Sequence, residues 1–300
     1  MKKILAINYS QTGQLDEILD KMFEPFDAIS VERVKIEMVE PYAFPWTSER
    51  FFDVFPESVM EIPRRVAPFV TSQENYDLVV LGYQPWFLSP SIPTTSLLMD
   101  DHFRALVKGK PVVTVIGARN MWLNSQETVK AMLKTAGARL VGNIPLIDRS
   151  DNLASVVSIL HWMLKGEKTK PYGIFPKPGV NDEDIMSADE FGEIIKRTWD
   201  KGNYEDLQLN LLSLGKVKVP TNILFIEQRA KKLFRIWANI VQKKGTTPEK
   251  RRKWLVVFKY YLIFALFVVS PVVLVIFNLI LRPLTLGAIK KKKEYYCGVN

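Results

Sequence analysis

The sequence predicts an α/β protein: a doubly wound, five-stranded parallel sheet followed by an α-helical C-terminal extension with a membrane segment. Three observations predict it. Short β-branched runs alternate with helical stretches over residues 1–165, the basic surplus lies in the second half of the chain, and residues 260–281 carry no charge. Of 300 residues, 47% are apolar and 24% charged. Those proportions belong to a folded chain and exclude disordered, collagen-like or disulfide-scaffold proteins.

Five strands are expected, at 3–8, 29–37, 77–82, 111–117 and, more weakly, 139–144. Several are the unbroken apolar runs of strands covered on both faces. Helices are expected between and after them at 14–23, 57–69, 94–107, 125–136 and 153–164, with Gly137 as a C-cap residue. Strict alternation of five strands with five helices predicts the flavodoxin-like member of the doubly wound class. The start of the chain reads as the first strand and not as a secretory leader. Ile4 to Ile7 is too short for an h-region of at least ~7 apolar residues, and polar Asn8, Ser10, Gln11 and Thr12 follow.

Ligands of such sheets sit beyond the carboxyl ends of the strands, so the loops after Asn8, Gly82 and Gly117 hold the candidate site. The first, Ser10-Gln11-Thr12-Gly13-Gln14, is hydroxyl-rich and leads into a helix start, where free backbone N–H groups and the helix dipole hold a phosphate. It has neither the lysine of a P-loop nor three spaced glycines, which favours a phosphate monoester over ATP or NAD. The second loop contains Pro85-Trp86-Phe87-Leu88, one wall for a flat ring, stiffened by proline. The third, Gly117-Ala118-Arg119-Asn120 with Trp122, supplies polar edge contacts and a second wall. No metal-ligand spacing is present.

These residues resemble the flavodoxin and NAD(P)H-dependent FMN reductase superfamily over about residues 1–165. Its Thr/Ser-x-Thr-Gly-x-Thr phosphate loop is matched by Ser10, Thr12 and Gly13, while Leu15 stands where the last hydroxyl would be. The resemblance implies FMN as cofactor, with its phosphate on the first loop and its isoalloxazine between the other two. Lys2-Lys3-Ile4-Leu5 through Leu15, the Trp86 loop and the basic, apolar-ended extension together resemble the dialkylresorcinol-biosynthesis aromatase family, often labelled a condensing enzyme. That resemblance implies oxidation of a dialkylcyclohexanedione, supplied by a separate ketosynthase, to the dialkylresorcinol of aryl-polyene or flexirubin-type pigments. An FMN-dependent quinone reductase or electron carrier, and a non-flavin interaction module, are the alternatives on the same scaffold.

Removing two hydrogens from the diketone needs a base and a hydride acceptor, and oxidised flavin is such an acceptor. His102, Arg119 and Tyr83 are the candidate catalytic residues, none of them distinguished by a motif. His161 on the fifth helix reads as structural.

Residues 1–170 carry 19 Lys and Arg against 20 Asp and Glu, whereas residues 171–300 carry 22 against 12. The sheet domain is therefore near neutral, which argues against nucleic acid as a partner. The basic clusters flank the apolar stretch, as they do beside anionic lipid. The expected organisation is a flavin domain at 1–168, a linker and helical extension at 169–254, a membrane segment at 255–283 and a basic tail at 284–300. Ser187 with Glu190 reads as a capping box, and Thr221–Lys244 as a basic amphipathic helix. The apolar stretch meets the ~20 residues that cross a bilayer core. It reads either as a simple anchor or as a segment broken at Pro271 that returns to the same face. The only cysteine, Cys297, leaves no mark of an oxidising compartment, so the expected place is the cytoplasmic face of the inner membrane.

Overall fold

The computed structural model describes residues 2–299. Its strands, in chain order, are β1 (Ile4–Asn8), β2 (Val31–Lys35), β3 (Leu78–Tyr83), the two-residue pair β4 (Pro85–Trp86) and β5 (Ser89–Pro90), β6 (Pro111–Ala118) and β7 (Arg139–Ile147). All pairings in the main sheet are parallel, in the order β2-β1-β3-β6-β7, while β4 and β5 form a small antiparallel hairpin. Counting only the five sheet strands, this is the 2-1-3-4-5 order of flavodoxin-like doubly wound folds, so the fold is the one predicted. Every residue of β1 and β3 is buried, as their unbroken apolar runs require, and the edge strand β2 is largely half-exposed.

The helices are α1 (Gln14–Met22), α2 (Ser48–Asp53), α3 (Phe55–Val59), α4 (Ile92–Met99), α5 (Asp101–Val107), α6 (Leu123–Thr135), α7 (Asn152–Lys165), α8 (Asp182–Met186), α9 (Asp189–Lys201), α10 (Leu207–Ser213) and α11 (Thr221–Lys244). One face of the sheet is covered by α1 together with α8, α9 and α10, through Ile18, Leu19, Phe191, Ile195 and Leu211. The other is covered by α4, α5 and α6, through Leu97, Phe103 and Val129, joined by Leu224 of α11. Residues from α8 to α10 thus complete the core on the first of these faces.

Two expected helices and one expected cap differ in form. Pro63 and Pro68 offer no N–H to a helix over 57–69, so the helices form upstream as α2 and α3. The chain beyond them is held by Val39 N–H on Arg65 O and Ala67 N–H on Glu37 O. The helix expected at 94–107 divides at Asp100, whose extended backbone stops α4 and whose carboxylate accepts the Phe103 N–H at 2.9 Å, capping α5. No capping box forms at Ser187, whose hydroxyl donates to Glu183 O while Glu190 pairs with Lys216 at 2.7 Å.

The fifth expected helix is present but displaced. Val156 and Trp162 of α7 are buried, yet neither belongs to a sheet core, and Trp46 N–H donates to Met163 O. The place such a helix takes over the last strand belongs to α10, with Leu207 and Leu211 against Gly142 and the Gln208 carbonyl accepting Asn143 N–H at 2.7 Å. Helix α7 is thereby free to lie at the carboxyl edge of the sheet.

Beyond α11, helical structure runs without a break over Pro248–Leu284. The break at Pro271, one of the two readings of this stretch, is absent for a local reason. Residues Ala265–Val269 form a π turn in which Ser270 N–H donates to Ala265 O, widening the helix where proline lacks a donor. A terminal helix, Leu286–Cys297, follows.

Candidate functional site

Gly13 opens α1 with φ of 84°, a left-handed conformation suited to glycine, and this turn points the first N–H groups of the helix into the loop after β1. Thr12 Oγ1 accepts the Gln14 N–H at 3.4 Å. Ser10 Oγ is buried with no hydrogen-bond partner, a free hydroxyl beside a helix N-terminus that fits a phosphate oxygen. Gln11 is committed elsewhere: its carbonyl accepts from Tyr9 OH at 2.6 Å and its amide donates to Tyr42 O at 3.2 Å. Leu15 is 1% exposed and reaches under Gly117. The hydroxyl missing from that position has been replaced by core packing.

The ring wall is an edge-to-face aromatic cluster. Trp86 meets Trp46 at 5.3 Å and Tyr42 at 5.1 Å, and Phe87 meets Phe51 at 5.1 Å. Phe87 and Leu88, the two central residues of the β4–β5 hairpin, have φ of 48° and 67°. A two-residue turn with both φ values positive normally uses Asn-Gly. Here two apolar residues hold the conformation because Phe87 is packed against Phe51 and Phe55, and Leu88 is buried.

These loops surround a cavity of about 230 Å³ to which Gln11, Thr12, Gln14, Pro85, Trp86, Phe87, Gly117, Ala118 and Arg119 all contribute. Sequence reasoning missed its remaining walls, Trp46 and Phe51 on one side and Ile159, Trp162 and Met163 of α7 on the other. Arg119 Nη1 donates to Asn152 Oδ1 at 2.8 Å and Asn152 O at 3.1 Å. Burial pushes its pKa down to about 10, against the pull of Asp148 and Glu227, so the guanidinium is still charged at neutral pH. The arrangement can hold a phosphate monoester at one end and a flat ring between aromatic and aliphatic walls, with one cation at the ring edge.

Other expected site residues lie apart from the cavity. Asn120 donates to Asn152 Oδ1 at 2.9 Å, behind Arg119. Trp122 is wholly buried beneath the loop and forms no second wall. Leu88 faces a neighbouring apolar cavity. Tyr83 is corrected as a catalytic candidate: it is fully buried, its hydroxyl donates to Gln126 Oε1 at 2.7 Å, and burial holds its pKa well above the ordinary value. His102 is corrected too, being exposed on α5 with its ring 4.9 Å from Phe69. His161 faces Glu167 at 3.6 Å.

The extension closes over the start of α1. Gln14 Nε2 donates to Val180 O at 3.1 Å and Gln14 Oε1 accepts the Val180 N–H at 2.9 Å. Gly179, with φ of 87°, makes the approach possible, since a Cβ there would stand 2.5 Å from Gln14 Oε1 and 2.7 Å from the Trp162 ring. Gly179→Ala is therefore expected to open this end and lower affinity for a phosphate-bearing ligand roughly tenfold, the equivalent of one lost hydrogen bond. Equilibrium titration followed by ligand fluorescence checks it, and unchanged affinity would mean that the clamp is not part of the site.

No family model matches the chain, and no curated protein matches it. Solved structures similar to it include a flavoprotein in complex with FMN from Lactobacillus acidophilus NCFM, 16% identical, covering 48% of this chain and 93% of that one at a TM-score of 0.40. A flavodoxin from the domain Archaea is 12% identical, with coverage of 66% and 99% and a TM-score of 0.33. The Trp repressor binding protein of Bacillus subtilis is 12% identical, with coverage of 54% and 99% and a TM-score of 0.32. The class of this protein rests on its own strand order and on a cavity lined by the loops after β1, β3 and β6: a flavodoxin-like α/β fold.

Proposed function

We propose that the protein is a membrane-associated, FMN-dependent oxidoreductase that aromatises a lipid-like dialkylcyclohexanedione to a dialkylresorcinol. The observation that carries the flavin part is the cavity itself, lined by Thr12 and Gln14 at the start of α1 together with Trp86 and Phe87, with the partnerless Ser10 hydroxyl in the same loop but outside the lining. The family resemblance and the uncharged stretch 260–281 support the choice of substrate.

Bound there, oxidised FMN supplies a two-electron acceptor for hydride. The chain's own residues do the rest. Ser10, Thr12 and the first N–H groups of α1 would hold its phosphate. Pro85, Trp86 and Phe87 exclude water from one ring face, and Ile159 and Met163 of α7 cover the cavity opposite. A cyclic 1,3-diketone gives up a carbon-bound proton readily, and the Arg119 guanidinium at the cavity edge is placed to hold the resulting enolate oxygen. Loss of that proton, released to solvent, and of one hydride would take the ring to the resorcinol level, the two electrons passing in the end to dioxygen or another acceptor.

The test is the visible spectrum of the full chain, purified in detergent and titrated without air with a synthetic dialkylcyclohexanedione. Bleaching of the flavin band together with one equivalent of dialkylresorcinol is the expected result. Bleaching by NAD(P)H alone would replace this reading by the reductase, and a protein that refuses FMN would remove both.

A further inference from the structure

A second cavity, of about 290 Å³, adjoins the first and shares Pro85, Phe87, Ala118 and Arg119 with it. Its other walls are mainly apolar, with Val156, Leu160 and Leu164 of α7 and Leu262, Leu266 and Phe267 of the helix Pro248–Leu284, while Lys259, donating to Ser48 Oγ at 3.2 Å, adds one polar pair. The helix passes over this space as a strap fixed on both sides. Phe258 stacks on Phe55 at 3.7 Å, and Phe277 stacks on Phe225 at 3.8 Å. Asn278 Nδ2 also donates to Asn222 Oδ1 at 3.1 Å.

The two stacking points are 19 residues apart, about 28 Å of helix at 1.5 Å per residue. Both rest on elements of the same domain, since Phe55 belongs to α3 and Phe225 to α11. The chain beyond returns there as well, with Tyr295 OH donating to Glu127 at 2.7 Å and the Gln208 amide donating to Cys297 O at 2.6 Å. A helix crossing a hydrocarbon core of about 30 Å cannot keep both ends on one water-side domain. What remains for its unpartnered face is a bilayer surface. Val268, Val272, Val275 and Leu279 are 49%, 57%, 57% and 74% exposed. Lys253 precedes this face and exposed Lys290 and Lys291 follow it, matching anionic headgroups along both of its ends.

We propose that the second cavity receives one alkyl chain of a bilayer-dissolved substrate, admitted sideways beneath a helix that lies flat on the membrane, with the diketone of the flavoenzyme reading as the molecule whose chain it takes. Passage from hydrocarbon to an apolar cavity avoids the cost of bringing an alkyl chain through water. The chain's root then lies at Pro85, Phe87 and Arg119, so the ring it carries enters the first cavity. The π turn Ala265–Val269 lies at the lip of this entry, where Leu266 and Phe267 line the cavity on a helix already widened.

The probe is a long-chain fatty alcohol bearing a diazirine and an alkyne, added to the full chain on vesicles of phosphatidylcholine and phosphatidylglycerol, photolysed and mapped by peptide mass spectrometry. Label on Leu160, Leu164 and Phe267 is expected, and it should be lost in Leu160→Trp while label on Val272 and Leu279 persists. Leu164→Phe repeats the test should the first variant fold poorly. Label confined to the outer face, or indifferent to both substitutions, would overturn the cavity assignment. Flavin content, read in the same samples, reports on the flavoenzyme reading separately, because the probe needs no flavin. In a Cys297→Ser background, Lys232→Cys and Lys291→Cys should react alike with an impermeant maleimide from the protein side. Protection of position 291 alone would mean that the helix crosses the membrane, and would overturn the flat orientation.

Discussion

Gly192→Ala is expected to lower the stability of the folded chain by about 3 kcal/mol or more, a fall of roughly 6–12 °C in unfolding temperature for a chain of this size. Gly192 lies in the first half of α9, where α9 crosses the end of α1. A Cβ there would stand 1.9 Å from Met22 O and 3.3 Å from Pro25 Cδ. The obstacle is backbone, which no rotamer change relieves, so α9 would have to move away from α1. That movement would uncover Phe191, Ile195 and Trp199, and would strain the Lys196 bond to Pro25 O at 2.5 Å. A glycine within a helix ordinarily costs up to about 1 kcal/mol relative to alanine, so propensity alone predicts the opposite sign. Gly287→Ala provides the control, because nothing lies within 4 Å of a Cβ at that helical position. Thermal unfolding of the full chain in detergent, followed by circular dichroism, should show the first variant melting well below the parent and the second at or above it. Equal melting of the two would mean that α9 does not approach α1 this closely.

Gly192 also marks where the sequence stops being legible. The sheet could be read because β1, β3 and β6 are buried on both faces and announce themselves as unbroken apolar runs. The phosphate loop and the Trp86 loop could be read because each lies directly after a strand, and strand ends locate ligands in this class of fold. Trp46 and α7 could not. Their place at the cavity depends on α10 having taken the sheet position over β7, and that depends on contacts such as Gln208 with Asn143, 65 residues apart in the chain. Some signals oppose one another: Pro63 and Pro68 speak against a helix over 57–69, whereas the alternation of strands and helices calls for one there. At Pro271 the opposite happened, and a proline that reads as a break is absorbed by one wide turn. A glycine such as Gly192 gives no sign of its purpose at all, since only the neighbouring backbone makes it necessary.

The other large effect concerns the attachment of α11, and through it the long helix, to the sheet domain. Glu227 is fully buried, and it caps α6 from a distance of 103 residues: its carboxylate accepts the Asn124 N–H at 2.7 Å, while Asn124 Nδ2 donates to Glu227 O at 2.8 Å. Burial raises its pKa from 4.5 to about 7, against the pull of the N–H groups of Asn124, Leu123 and Trp122 and of Lys231. The folded chain therefore holds this proton more tightly than the unfolded chain does. Its stabilising contribution is complete below pH 4.5 and is lost as pH rises through 7, a loss on the order of 3 kcal/mol at about 1.4 kcal/mol per pKa unit. Glu227→Gln keeps an acceptor for the Asn124 N–H and carries no charge at any pH. The variant should differ little from the parent at pH 5 and become the more stable of the two by pH 8, its advantage growing between those limits. All other titrating groups are common to both proteins, so the difference between their denaturant unfolding free energies isolates this carboxyl. A difference that stays flat across the range would mean that Glu227 ionises as it does in the unfolded chain, and that α11 does not bury it against α6.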